Sequence, residues 1–190
     1  MKIGCVVLAA GLSSRFGGNK LLADYGDRNL ADLALKAVPV NMLEKVVVVT
    51  RYPEIRKQAE DIGFLVVWNE DPERGISWTV RLGLEKMDEM DAVLFMVCDQ
   101  PKLTRKSVAM VVDSYIKNPG RIVCASSSAF RGNPCVFPSK YYKELRELTG
   151  DSGGSAVIRQ HKDALLLVKL TDAAELKDVD RVSDLDMLNN

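Results

Sequence analysis

Short runs of apolar residues alternate with longer amphipathic stretches along the first two thirds of this chain. The apolar runs are rich in β-branched residues and lie at positions 6–9, 45–50, 64–68, 92–98 and 121–125. They lack strict polar alternation, which is typical of parallel strands covered on both faces. The stretches between them, predicted to be helices, lie at 30–38, 54–62, 76–86 and 104–117. This spacing predicts a three-layer α/β fold with a mostly parallel sheet.

The last third of the chain follows a different pattern. Here we predict a hairpin strand at 131–137, a helix at 139–148, a strand at 165–170 and a closing helix at 182–188. This order indicates a mixed sheet with an inserted β-hairpin arm. Because the 190 residues contain no internal repeat or linker, we expect a single domain over 1–190. Ligands of such open sheets bind beyond the carboxyl ends of the strands, so the residues that follow each strand are site candidates.

Charge and hydropathy argue against two classes of partner. Basic and acidic residues number 26 each, so the chain lacks the basic surplus of a general nucleic-acid binder. No apolar run approaches the roughly 20 residues that span a bilayer, which argues against a membrane protein. The apolar run at 5–10 is too short for a signal peptide and is predicted to be the first strand. We therefore expect a cytoplasmic protein.

Cysteine and histidine usage limits the chemistry further. The four cysteines, Cys5, Cys98, Cys124 and Cys135, are far apart and form no C-x-x-C pair, so they are predicted to be small buried hydrophobes. His161 is the single histidine, which leaves no histidine metal cluster. Its charged neighbours indicate a solvated helix end rather than a catalytic base.

The segment after the first predicted strand has the composition of a phosphate-binding loop. Residues 8–22 read L-A-A-G-L-S-S-R-F-G-G-N-K-L-L. The small residues at 9–11 let backbone N–H groups approach a bulky anion, and Arg15 and Lys20 add two positive charges. The spacing is neither that of a Walker A loop nor G-x-G-x-x-G. A glycine-rich turn with two solvated charges is the alternative interpretation.

A second informative segment, residues 91–101, reads D-A-V-L-F-M-V-C-D-Q-P. Its apolar strand carries Asp99 to the carboxyl edge of the predicted sheet. A carboxylate there is costly to bury unless a cation or several donors meet it. Asp99 is therefore a candidate Mg²⁺ ligand, since hard oxygen ligands suit a small dication that bridges phosphates. A turn or helix cap is the alternative.

These two motifs, in this order, resemble the signature of molybdenum-cofactor nucleotidyltransferases, most closely the molybdenum cofactor cytidylyltransferases and the accessory relatives of molybdenum hydroxylases. Phe16 stands where methionine is usual. The resemblance implies a Rossmann-like nucleotidyltransferase fold and Mg²⁺-dependent transfer of a nucleotide to a phosphate, with release of pyrophosphate.

Weaker matches extend the resemblance over most of the chain. Residues 75–84 are similar to a helix start in the family, and 131–134 to a hairpin near the expected second substrate. The loop at 149–154 also matches, although Ser155 stands where arginine is typical. The segment 178–185 resembles the family's closing segment, which makes Asp180 a candidate second metal ligand.

Carried over to this chain, the resemblance implies CTP and molybdopterin as substrates and a molybdenum hydroxylase as a partner. Arg15 is expected to hold the β- and γ-phosphates, Lys20 to act near the α-phosphate, and Asp99 with Asp180 to carry Mg²⁺. The full set of predicted nucleotide-binding residues is Leu8, Ala9, Ala10, Gly11, Arg15, Lys20, Gly75 and Ser77.

Two other functions stay open from the sequence. One is nucleotidyl transfer to another phosphate, such as a sugar or alditol phosphate. The other is a non-catalytic chaperone that holds the cofactor for a molybdenum hydroxylase. Within the transferases, the resemblance favours CTP because Ala9 and Ala10 replace the glycine-containing pair of guanylyl-transferring relatives.

Overall fold

Within residues 1–128 and 130–189, which the computed structural model describes, a seven-stranded mixed sheet forms the centre of the molecule. Its strands are β1 (Ile3–Ala9), β4 (Lys45–Thr50), β5 (Leu65–Trp68), β6 (Ala92–Val97), β7 (Ile122–Ser126), β8 (Arg131–Pro138) and β9 (Leu165–Lys169). The short strands β2 (Asp24–Tyr25) and β3 (Arg28–Asn29) form a separate antiparallel pair. The helices are α1 (Leu30–Lys36), α2 (Pro53–Asp61), α3 (Ile76–Leu84), α4 (Arg105–Lys117), α5 (Tyr142–Glu147), α6 (Gly154–Gln160) and α7 (Val182–Asn189).

The strand order places β1 at the switch point of the sheet. The order is β5-β4-β1-β6-β8-β7-β9, and β8 runs antiparallel to both of its neighbours while the other pairs are parallel. The chain first builds outward from β1 through β4 and β5, then returns to add β6 on the other side of β1. Loops after β1 and β6 therefore face a common crevice, where ligands of open α/β sheets bind.

Helices cover both faces of this sheet, and alternate residues of β1 belong to opposite cores. Cys5 and Val7 pack with the apolar faces of α1, α2 and α4, whereas Val6 packs with α3, α5 and α6. This arrangement explains why the strands are apolar throughout: each face of the sheet is buried. The predicted three-layer α/β fold is confirmed.

The structure also refines the predicted elements. The hairpin strand at 131–137 is present as β8, and its pairing with β6 and β7 makes the hairpin part of the main sheet. The helix predicted at 139–148 begins with a 3-10 turn and continues as α5. Thr104 caps α4, since its side chain accepts a hydrogen bond from the Ser107 N–H. Helix α6 was not predicted, because its glycine-rich start resembles a loop, but its Val157 and Ile158 are buried.

The cysteines take up the predicted environment, whereas His161 lies at a helix end as predicted but is half-buried and paired rather than solvated. All four cysteines are free and buried. His161 is the residue that ends α6, where its Nε2 lies 2.7 Å from Glu144 Oε2 and its ring packs against Tyr141. Among the described residues, no helix is both long and apolar enough to cross a membrane.

Candidate active site

The loop after β1 is held in place from the neighbouring strand β4. Thr50 Oγ1 donates a hydrogen bond of 2.9 Å to the Ala9 carbonyl, and the Tyr52 hydroxyl donates one of 2.7 Å to the Gly11 carbonyl. Ser13 has a φ of 52°, and Gly17 follows with a φ of 80°, so the loop turns sharply twice. These two hydrogen bonds anchor the start of the loop to the carboxyl end of β4 and the residues that follow it.

Lys20 begins the short 3-10 turn that follows this loop. The Asn19 side chain caps that turn by accepting a hydrogen bond of 3.1 Å from the Leu21 N–H. The Lys20 ammonium donates to Asp99 Oδ2 at 2.7 Å and to Asp180 Oδ1 at 3.3 Å. Burial opposes its charge, but attraction to Asp99 and Asp180 prevails and raises the pKa of Lys20 above its ordinary value. Lys20 is therefore a fixed positive charge between two carboxylates.

The closing segment reaches this place through contacts with the end of β6. The Val179 N–H donates to the Asp99 carbonyl at 2.8 Å, and the Val179 carbonyl accepts from Lys20 Nζ at 2.9 Å. Farther back, the buried Glu175 carboxylate accepts hydrogen bonds from the Thr104 N–H and the Ser107 hydroxyl at the start of α4. Asp180 is thus positioned by the same segment that contacts Asp99.

A cavity of about 450 Å³ lies over the loop after β1. Eight of the ten residues predicted for the site line it: Leu8, Ala10, Gly11, Arg15, Lys20, Gly75, Asp99 and Asp180. Ala9 is buried beneath the loop, and Ser77 is buried with its N–H donating to the Gly150 carbonyl at 3.1 Å. Thr79 and Asp151 line the cavity without having been predicted. Both lie in motifs that the sequence marks, but sequence alone does not tell which side chains face inward.

A second cavity of about 390 Å³ adjoins the first. The two share four lining residues, namely Leu8, Ile76, Val97 and Asp151. The second cavity has an apolar wall that includes Phe95 and Phe137, and its polar residues include Gln100, Asn133, Arg131 and Asp178. Two ligands, one in each cavity, would therefore approach each other at the shared wall.

Arg131 supplies positive charge to the second cavity. Its Nη2 donates to Ser155 Oγ at 3.4 Å. A guanidinium from β8 therefore lies beside position 155, where the sequence motif of the family has arginine. Asp178 lines the same cavity, and burial together with the nearby Asp99 raises the pKa of Asp178 to about 6, although the Gln100 amide and Lys20 act against that shift. The cavity therefore carries charges of both signs.

The donor set fits a small divalent cation. Asp99 Oδ1 is buried and has no hydrogen-bond partner among the described residues. Asp180 and Asp99 both pair with the Lys20 ammonium. Across the part of the chain that the structure describes, no group of three or more His, Cys, Asp and Glu residues could form a metal cage. Mg²⁺ usually takes one or two carboxylates and completes its shell with water and substrate phosphates. Asp99 and Asp180 match that pattern.

The loop after β1, the lysine between two carboxylates and the two adjoining cavities thus lie together at the switch point of the sheet. The chain belongs to the family of MobA-like NTP transferase domains, which matches residues 5–165. The family expected from the sequence motifs is therefore confirmed, and with it nucleotidyl transfer as the class of activity.

Individual proteins agree with this assignment. Purine catabolism protein PucB of Bacillus subtilis strain 168 is 29% identical over 201 residues, which cover 96% of this chain and 94% of that protein. The crystal structure of Rv0371c from Mycobacterium tuberculosis is similar over 100% of both chains, with a TM-score of 0.84 and 23% identity. A complex of Rv0371c with manganese covers 99% of this chain and 98% of its own, at a TM-score of 0.79 and 22% identity. The nucleotidyl transferase Mth528 of Methanothermobacter is similar over 99% of this chain and 96% of its own, with a TM-score of 0.82 and 19% identity. At these identities, the structural likeness establishes a shared fold.

Proposed function

We propose that this nucleotidyltransferase transfers CMP from CTP to the terminal phosphate of molybdopterin and releases pyrophosphate. The observation that carries the proposal is the position of Lys20, whose ammonium lies between Asp99 and Asp180 beside the loop after β1. A cation at that point suits the negative charge that grows on the α-phosphate during transfer. The preference for CTP rests on the Ala9–Ala10 pair, and the choice of molybdopterin on the sequence motifs.

The first cavity is proposed to hold the nucleotide. Its loop N–H groups and the exposed guanidinium of Arg15, which lies 3.2 Å from Asp180, would receive the β- and γ-phosphates. Arg15 has a side chain that is 70% exposed, so it is free to turn toward an entering triphosphate. Gly75 also lines this cavity, and its lack of a side chain lets the Gly150 backbone pack against the start of α3.

Asp99 and Asp180 are the residues proposed to hold Mg²⁺. When bound, the ion would neutralise negative charge on the phosphate oxygens and orient them for substitution. The buried, unpartnered Oδ1 of Asp99 supports this role, because a carboxylate oxygen that is removed from water needs a partner. A manganese complex of the structurally similar Rv0371c also supports a divalent ion.

The second cavity is proposed to hold the acceptor. A terminal phosphate oxygen of the acceptor would form the new bond to the α-phosphorus of CTP while the bond from that phosphorus to the β-phosphate oxygen breaks. The phosphate nucleophile is already anionic, so no general base is required. His161 fits this scheme, since it pairs with Glu144 and, within the described residues, lines neither cavity. The product would then pass to a molybdenum hydroxylase.

Pyrophosphate release tests the proposal directly. CTP, GTP and UTP would each be incubated with the protein, Mg²⁺ and molybdopterin, with sugar and alditol phosphates as competing acceptors. We expect release only with molybdopterin and most rapidly with CTP. Turnover with a sugar or alditol phosphate alone would contradict the proposed acceptor. Tight binding of molybdopterin with no pyrophosphate from any nucleotide would instead indicate a cofactor chaperone.

A further inference from the structure

Gln100 lines the second cavity and has a buried, unpaired hydrogen-bond acceptor. Gln100 is only 4% exposed, and its Oε1 has no hydrogen-bond partner among the described residues. Its Nε2 donates to Asp178 Oδ1 at 2.9 Å. Because a carboxylate can only accept hydrogen bonds, the amide nitrogen must be the end that faces Asp178. The carbonyl oxygen is therefore the free group.

An unpaired carbonyl in a protein interior is costly, and most such groups have a partner. Gln100 lines the second cavity, so a bound molecule can supply the missing donor. The carboxylates of Asp178 and Asp151 also line this cavity and likewise accept hydrogen bonds. Together these acceptor groups favour a ligand that carries N–H or O–H groups.

The rest of the wall restricts the ligand further. Phe95, Val97, Phe137 and Leu176 line the same cavity and offer only apolar contact. A polyhydroxylated acceptor would place hydroxyl groups against them without partners. A flat heterocycle with N–H donors along one edge fits both the apolar wall and the acceptor groups.

We infer that Gln100 is a specificity-determining residue for the acceptor substrate, and that its Oε1 accepts a hydrogen bond from an N–H group on the edge of a planar heterocycle. The inference rests on the proposed function, because it takes the second cavity as the acceptor site. The backbone supports the link between the two cavities: Gln100 follows Asp99, and Asp178 precedes Asp180 by two residues. Asp99 and Asp180 line the first cavity, whereas Gln100 and Asp178 line the second.

Two bicyclic probes test the inference without nucleotide or turnover. Pterin carries N–H donors along its 2-amino edge, whereas 1,3-dimethyllumazine has the same bicyclic ring with no N–H group, and calorimetry can measure the binding of both. Titration of each into the wild-type protein is expected to show roughly tenfold tighter binding of pterin, the scale of one hydrogen bond to a buried group. Gln100→Met, which keeps the length of the side chain but neither polar group, is expected to bind both probes equally weakly.

Two further variants make the result specific. Gln100→Asn keeps an amide but withdraws its oxygen, and it should also lose the preference. Gln58→Met is the matched control, since Gln58 too has an unpartnered Oε1 yet lines neither cavity among the described residues. It should retain the wild-type ratio. A wild-type ratio near one, or an unchanged ratio in both Gln100 variants, would overturn the inference.

The transfer reaction gives a separate measurement. In Gln100→Asn, we expect the KM for molybdopterin to rise about tenfold while the KM for CTP stays unchanged. Failure of the proposed function would appear as absent pyrophosphate release in the wild-type protein, whereas failure of this inference would appear in the ratio of probe affinities. An equal rise in both KM values would also contradict a specific role for Gln100.

Discussion

The Lys20 ammonium lies 2.7 Å from the Asp99 carboxylate, although the two residues are 79 positions apart in the chain. One follows the loop after β1 and the other follows β6, and these strands are parallel neighbours in the sheet. Their carboxyl ends therefore meet at the same edge. This ion pair joins the segment that follows β1 to the candidate metal ligand after β6.

Replacing Lys20 is expected to affect transfer more than binding. Lys20→Ala should lower the rate of nucleotidyl transfer by about a hundred- to a thousandfold, or ~2.7–4 kcal/mol, because its charge matches that of the transition state. Steady-state kinetics and calorimetry with CTP would separate the two effects. Lys57→Ala, at an exposed lysine on α2, is the control and should leave the rate unchanged. Near wild-type turnover in Lys20→Ala would contradict the assignment.

Replacing Arg15 is expected to affect nucleotide binding instead. Arg15→Ala should raise the KM for CTP by about tenfold with little change in kcat, since contacts to the β- and γ-phosphates are made equally before and during transfer. Arg56→Ala, which removes an exposed arginine paired with Glu60 on α2, provides the comparison. If the KM for CTP is the same in Arg15→Ala as in Arg56→Ala, Arg15 does not hold the nucleotide.

Asp99→Asn tests the metal site. The substitution keeps the size of the side chain but removes the charge that a hard dication requires, so transfer should fall by about a hundredfold or more. Added Mg²⁺ or Mn²⁺ should restore part of the activity, and CTP binding without metal should hold steady or tighten because repulsion is reduced. Asp113→Asn on α4 is the control for loss of an exposed carboxylate. Equal metal dependence in wild type and Asp99→Asn would exclude Asp99 as a ligand.

Gly75→Ala tests the close packing of the 149–154 loop against the residue that precedes α3. Gly75 has a φ of 82°, and an added Cβ would lie 2.4 Å from the Gly150 backbone. Gly63 has nearly the same φ of 80° but open space around it, so Gly63→Ala measures the conformational strain alone. We expect Gly63→Ala to lower the free energy of unfolding by about 1 kcal/mol and Gly75→Ala by roughly 1–3 kcal/mol more. Urea unfolding of both variants checks this, and equal losses would show that the contact with Gly150 is unimportant.

Much of the fold could be predicted because its signals are local. The apolar runs, the glycine-rich loop and the cap at Thr104 each depend on neighbouring residues, and the structure confirms them. The start of α6 could not be predicted in this way. Its glycines disfavour a helix locally, and burial of Val157 and Ile158 against the second core stabilises it instead.

The sequence by itself determined the family, the order of the motifs and the chemical types available to the site. Only the tertiary structure decided which side chains meet. Ser77 is in a predicted site motif, but its N–H donates to the Gly150 carbonyl and the residue is buried. Thr79 of the same motif lines the cavity instead. Likewise, Val179 bonds to Asp99 across 80 positions, and this contact sets Asp180 and Asp178 in neighbouring cavities. Such contacts depend on how distant segments pack together, and no local pattern of residues specifies that packing.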